Sequence, residues 1–116
     1  MKRVLLIGSP DLGIAFFKTR TYTDDIKTYV ISNREVQIRM NDNIVKIEAA
    51  NKIIKEFSKE EIDIIGYNEP KIFMFTYDNE DLLLKILSDG EMNKGLFIDD
   101  FGTLIKLEDF IGKLNK

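Results

Sequence analysis

The chain contains no cysteine and no histidine. The first absence excludes disulfides, thiolate metal sites and cysteine nucleophiles. The second removes the commonest general base, the commonest transition-metal ligand and the Ser-His-Asp triad. Carboxylates, lysine, tyrosine or a hard cation held by oxygen ligands are the chemistries that remain. Proline is scarce: only Pro10 and Pro70 occur, and no repeat, low-complexity tract or linker interrupts the 116 residues. Residues 1–116 therefore read as a single domain of ordinary size. No apolar run approaches the roughly 18 residues that a membrane span needs. In the opening "MKRVLLIGSPDLG" the apolar run Val4–Ile7 is short and Pro10 and Asp11 follow it, which predicts a first strand rather than a signal peptide. The expected location is the cytoplasm. Alanine (3) and arginine (4) are rare beside 17 isoleucines, 13 lysines and 8 asparagines. That bias is the mark of an AT-rich genome, bacterial or phage, and speaks to ancestry rather than function.

What is present is a globular composition, 44% hydrophobic and 32% charged. The net charge of −3 and the pI near 5.0 argue against nucleic acid, which selects a basic footprint. They suit a basic protein partner.

Periodicity sets out the elements. Arg3–Ile7 is a buried strand. Leu12–Phe17 is apolar, and "KTRTYT" reads as a second strand ended by Asp24-Asp25. Thr28–Ile31 is a further strand. In Glu35–Met40, Val36, Ile38 and Met40 alternate with polar residues, as on a strand with one buried face. A turn at Asp42-Asn43 would set Met40 opposite Val45 and Ile38 opposite Ile47. Glu48–Lys59 carries a helical stripe of Ala50, Ile53, Ile54 and Phe57. Ile62–Tyr67 and Lys71–Tyr77 read as strands, the second apolar on both faces and so central. Asp78 is the expected N-cap of a helix burying Leu82, Leu83, Ile86 and Leu87, with Gly90 at its C′ position. Leu96–Ile98 and Thr103–Leu107 are the last strands, and "LEDFIGKL" closes as a helix burying Leu107, Phe110, Ile111 and Leu114. The sum is an α+β fold: an antiparallel or mixed sheet of about six to seven strands, with three helices on one face.

The segment that most looks like chemistry is "GLFIDDFGT". Residues Asp99 to Thr103 resemble the metal-binding segment of EAL-type cyclic-dinucleotide phosphodiesterases, where paired aspartates at a strand end hold cations that activate water. That resemblance implies a TIM-type barrel of ~250 residues, and no other motif of the family is present. The same residues are similar to the haloacid-dehalogenase motif Asp-x-Asp-Gly-Thr, but the position of its second aspartate holds Phe101 and the segment lies late in the chain. As a turn, every residue fits: aspartate at the first position, Gly102 at the fourth, in a type I turn with a glycine bulge. "GSPDLG", Gly8 to Gly13, lacks the lysine of a Walker loop and the Gly-x-Gly of a dinucleotide fingerprint, and is read as a turn. "FKTRTYT" interleaves too few cations to bind nucleic acid and is read as an edge strand guarded by Lys18 and Arg20.

No catalytic residue, metal ligand or cofactor is assigned. The acidic pairs Glu80-Asp81 and Asp99-Asp100 are the candidate partner-binding residues, and Tyr22, Tyr29, Tyr67 and Tyr77 are possible anchors or core residues. Three functions are consistent with this. The first is a small acidic module that neutralises a basic protein by occlusion, as a toxin-immunity protein or a phage-encoded inhibitor does. The second is a metal-dependent hydrolase using Asp99 and Asp100. The third is a structural or self-associating subunit, which predicts a homo-oligomer. Nucleic acid and membrane are not expected partners.

Overall fold

The computed structural model of the protein describes residues 1–20, 22, 25–88, 95–100 and 102–115. Seven strands form one sheet: β1 (Lys2–Gly8), β2 (Ile26–Val30), β3 (Glu35–Met40), β4 (Asn43–Ala49), β5 (Lys71–Tyr77), β6 (Phe97–Asp100) and β7 (Thr103–Lys106). Their order is β2-β3-β4-β5-β1-β6-β7, and every neighbouring pair is antiparallel. Among the described residues four α-helices accompany them: α1 (Ile14–Thr19), α2 (Lys59–Ile65), α3 (Glu80–Leu87) and α4 (Leu107–Leu114). A short 3-10 helix, Asn51–Glu56, precedes α2. The fold is α+β, with β5 in the middle of the sheet as its apolar run requires.

Strand alternation divides the apolar side chains between two faces. On the first face Val4, Leu6, Val36, Ile38, Val45, Ile47, Phe73, Phe75 and Ile98 meet Phe17 of α1, all four expected residues of α3, and Leu107 and Phe110 of α4. Ile111 and Leu114 pack against this core half-buried. The second face carries a smaller cluster of Ile7, Ile65 and Ile72, with Leu5, Ile54, Phe57, Phe97 and Leu104 around it. The helical layer is thus α1, α3 and α4, while the 3-10 helix and α2 lie over the opposite face. The reason is the patch itself: Leu5, Ile7, Ile72, Phe97 and Leu104 all project there and need a cover.

Several local expectations are corrected. The apolar stretch after Gly13 is helix α1, which takes Lys18 and Thr19 of the expected strand "KTRTYT"; Thr21 and Thr23 lie outside the described residues. Phe17 is fully buried against Phe73 and Phe75, with ring centroids 5.3 and 5.6 Å apart in edge-on geometry, and that docking outweighs the alternation of "KTRTYT". Of the aspartate pair expected to end a strand there, Asp24 lies outside the described residues. The β3–β4 hairpin turns at Asn41-Asp42, one residue earlier than expected, and pairs Ile38 with Val45 and Val36 with Ile47. Asn41 takes the left-handed conformation, φ 56°. Both registers keep the same side chains on the same face, so face packing alone does not separate them.

The larger correction covers residues 48–67. β4 continues to Ala49, where the Ala50 N–H donates to the Ile72 carbonyl and the Asn51 side chain accepts from the Ile72 N–H, at 2.8 Å each. The 3-10 helix Asn51–Glu56 then stands where a longer helix over Glu48–Lys59 was expected. The expected strand Ile62–Tyr67 is instead helix α2. Ser58 and Glu61 form a capping box: the Ser58 side chain accepts from the Glu61 N–H at 3.1 Å, and the Glu61 side chain accepts from the Ser58 N–H at 2.9 Å. Gly66 closes the helix at φ 75°, where glycine avoids the Cβ cost. The cap of α3 is Asn79, whose side chain accepts from the Leu82 N–H at 2.9 Å. Asp78 accepts instead from the Ile44 N–H at 3.0 Å, tying the start of β4 to the end of β5. Gly90 lies outside the described residues.

Candidate functional site

Asp99 and Asp100 are consecutive residues of β6, and consecutive strand residues face opposite sides of the sheet. Asp99 sits across from Leu5 on β1 and Leu104 on β7. Burial pushes its carboxyl above the usual range, and the nearby Glu61 carboxylate adds to this. A backbone hydrogen bond from Gly102 partly offsets both, and Asp100 adds a smaller push upward. One oxygen, Oδ1, is enclosed with no hydrogen-bond partner among the described residues. Asp100 faces the other way and acts electrostatically on Lys2 and Tyr77. The two carboxylates therefore diverge, and the pair is the end of a hairpin rather than a converging metal site. Strand pairing continues through Asp100 and Thr103, so β6 includes both aspartates that the expected type I turn over Asp99–Gly102 would have taken. Gly102 has φ 83°, and Phe101 lies outside the described residues. Among the described residues, no three carboxylates are grouped to hold a cation.

The acids do gather elsewhere. Lys2 donates to Glu80 at 3.0 Å, and that hydrogen bond and charge hold the Lys2 ammonium above its ordinary value, with Tyr77 and Asp100 adding to the effect. Burial raises the Tyr77 hydroxyl; Lys2 pulls it down, and Asp100 and Glu80 push it up. Asp81 is exposed beside Glu80 in the first turn of α3, where the helix dipole favours negative charge. An open depression of about 680 Å³ is lined by Met1, Lys2, Tyr77, Asp78, Asn79, Glu80 and Asp81. Of the four candidate residues, Glu80, Asp81 and Asp100 thus share the surroundings of Lys2 and Tyr77, and Asp99 is on the opposite face.

The two loop motifs have structural explanations. In "GSPDLG" the Leu12 N–H donates to the Ser9 carbonyl at 3.0 Å, closing a turn. A Cβ on Gly8 would lie 2.6 Å from Leu96 and 2.8 Å from Leu12, so glycine there permits close packing. The supposed guards of an edge strand, Lys18 and Arg20, belong to α1 and its end, and the Arg20 guanidinium lies over the Phe16 ring at 5.2 Å.

Sequence reasoning missed two exposed apolar features. One is Tyr29, Val30 and Ile31, at and just beyond the end of β2, with relative exposures of 43, 56 and 51%. The other is Ile62 and Ile64 on the outside of α2. Of the remaining tyrosines, Tyr77 is buried, Tyr22 packs half-buried against the core, and Tyr67 donates its hydroxyl to the Gly95 carbonyl at 2.9 Å. No family model, curated protein or solved structure matches the chain. Among the described residues, no helix is long and apolar enough to cross a membrane.

Proposed function

We propose that the protein is a cytoplasmic binding module that occludes one basic protein partner, in the manner of an immunity protein or a phage-encoded inhibitor. The observation that carries this reading is an acidic rim: Asp78, Glu80 and Asp81 line an open depression with Lys2 and the Met1 terminus, Glu80 pairs with Lys2, and the charge of Asp100 also reaches Lys2. Four carboxylates, Asp78, Glu80, Asp81 and Asp100, against the Lys2 and Met1 ammonium groups leave a local negative field that steers a basic surface into contact. The divergence of Asp99 and Asp100 weighs against the hydrolase alternative, because two carboxylates on opposite sides of a sheet do not share a cation.

The experiment is affinity capture with the wild-type chain and with the triple variant Glu80→Lys/Asp81→Lys/Asp100→Lys, followed by association kinetics with the captured protein. The expected result is one stoichiometric basic partner. Its association rate falls about tenfold or more in the variant and falls with salt in the wild type. Unchanged association in a folded variant refutes this surface as the recognition site.

A further inference from the structure

The free edge of β2 has the geometry of an unfilled ladder. β2 ends the sheet, and no described strand pairs with its outer side. The Ile31 N–H donates to the Glu35 carbonyl at 3.1 Å, which sets the phase of the β2–β3 ladder. Antiparallel ladders alternate, so Lys27 and Tyr29 also bond inward to β3. The N–H and C=O groups of Ile26, Thr28 and Val30 then point outward. The usual protections of an edge are sparse here: β2 contains no proline, and Lys27 is its one charge. Beside these open groups stand Tyr29, Val30 and Ile31, three consecutive exposed apolar residues.

We propose that this edge pairs antiparallel with β2 of a second copy of the chain, joining two sheets into one across a two-fold axis at Thr28. In that register Thr28 exchanges both backbone bonds with Thr28 of the copy, and Ile26 does so with Val30 of the copy. All five residues of β2 are paired, and all three outward donors and acceptors are satisfied. On one sheet face Ile26 meets Val30, an apolar pair. On the other, Lys27 lies across from Tyr29 of the copy, whose ring carries the Arg39 guanidinium of its own chain at 4.8 Å. Within the two β2 strands no like charges oppose each other. An axis at Lys27 would set two ammonium groups face to face, and an axis at Tyr29 would leave Ile26 without a partner inside β2. The strand is therefore complementary to itself in hydrogen bonding and apolar contact in one register, which is what selects a second copy over a foreign strand.

The test is sedimentation of the full chain across a dilution series, with amide hydrogen exchange read residue by residue at both ends of the series. The expected result is a reversible dimer in which the amides of Ile26, Thr28 and Val30 are protected and become fast on dilution, while those of Lys27 and Tyr29 stay protected throughout. Thr28→Pro removes an outward donor and abolishes the dimer. Val30→Lys replaces an exposed side chain, leaves the fold intact and weakens dimerisation by about tenfold or more. A monomer at every concentration overturns the proposal. So does a dimer whose Ile26, Thr28 and Val30 amides exchange freely, or one that Val30→Lys leaves unchanged.

Discussion

Phe17→Ala tests the least anticipated element of the fold. Helix α1 has six residues, far too few to be stable alone in water. What holds it is the Phe17 ring, fully buried and edge-on to Phe73 and Phe75 of the middle strand. Truncating a buried phenylalanine to alanine costs about 3–5 kcal/mol, from lost transfer energy plus the cavity left behind. Two aromatic partners place this site in the upper half of that range, near 4 kcal/mol. With an unfolding entropy of about 2.1 cal/mol/K per residue, a chain of this length would lose roughly 16 °C in Tm. Phe16→Ala is the control. Its ring is half-buried, 5.2 Å from Phe17 on one side and under the Arg20 guanidinium on the other, so its loss should be less than half as large. Urea unfolding and thermal melts measure both. A Phe17→Ala loss below about 1 kcal/mol, or a larger loss for Phe16→Ala, refutes the docking of α1 through Phe17.

The other predictions concern the second face. Because the folded-state pKa of Asp99 is raised, its favourable contribution is complete at low pH and is lost as pH rises from the ordinary carboxylate value through the raised one. Asp99→Asn should therefore melt higher than wild type at neutral pH, with the gap closing below about pH 4; an equal gap at both pH values would remove the basis for this. Ser58→Ala breaks the capping box of α2 and should cost about 1 kcal/mol, with faster amide exchange confined to Lys59–Ile65 and its neighbours. Uniform acceleration across the sheet would contradict so local a role.

The legible parts of the fold were those in which one local signal had no rival. β5 was recognisable from "KIFMFTY" because a run apolar at consecutive positions needs cover on both faces, and β5 has it. The buried face of α3 was equally plain, with Leu82, Leu83, Ile86 and Leu87 at helical spacing and no competing alternation. Residues 48–67 failed because two signals conflicted. "EIDIIGY" alternates well enough for a strand, yet Ser58 and Glu61 three residues apart and Gly66 after the run mark a helix. The apolar residues that suggested a strand, Ile62 and Ile64, are exposed in the structure, so the pattern they made was not a burial pattern. Capping chemistry, which satisfies backbone groups directly, was the stronger signal.

Of the candidate site, sequence proximity was half informative. Glu80 and Asp81 stay together because a helix turn keeps neighbours on one end of the element. Asp99 and Asp100 separate because β6 runs through both and a strand sends neighbours to opposite faces; with the expected strand ending at Ile98 and both aspartates in the turn, that divergence was not legible. The edge of β2 was beyond local reading for a different reason. "IKTYVI" and "KIFMFTY" are both β-rich runs with apolar residues at adjacent positions, and by that measure both belong inside a sheet. Which one is inside depends on strand order, and the order is set by β1 inserting between β5 and β6, far away in sequence. β5 thereby gains neighbours on both sides and β2 keeps one. An apolar strand left at an edge retains unsatisfied donors, acceptors and side chains together, so its composition still calls for a second neighbour that no described strand supplies.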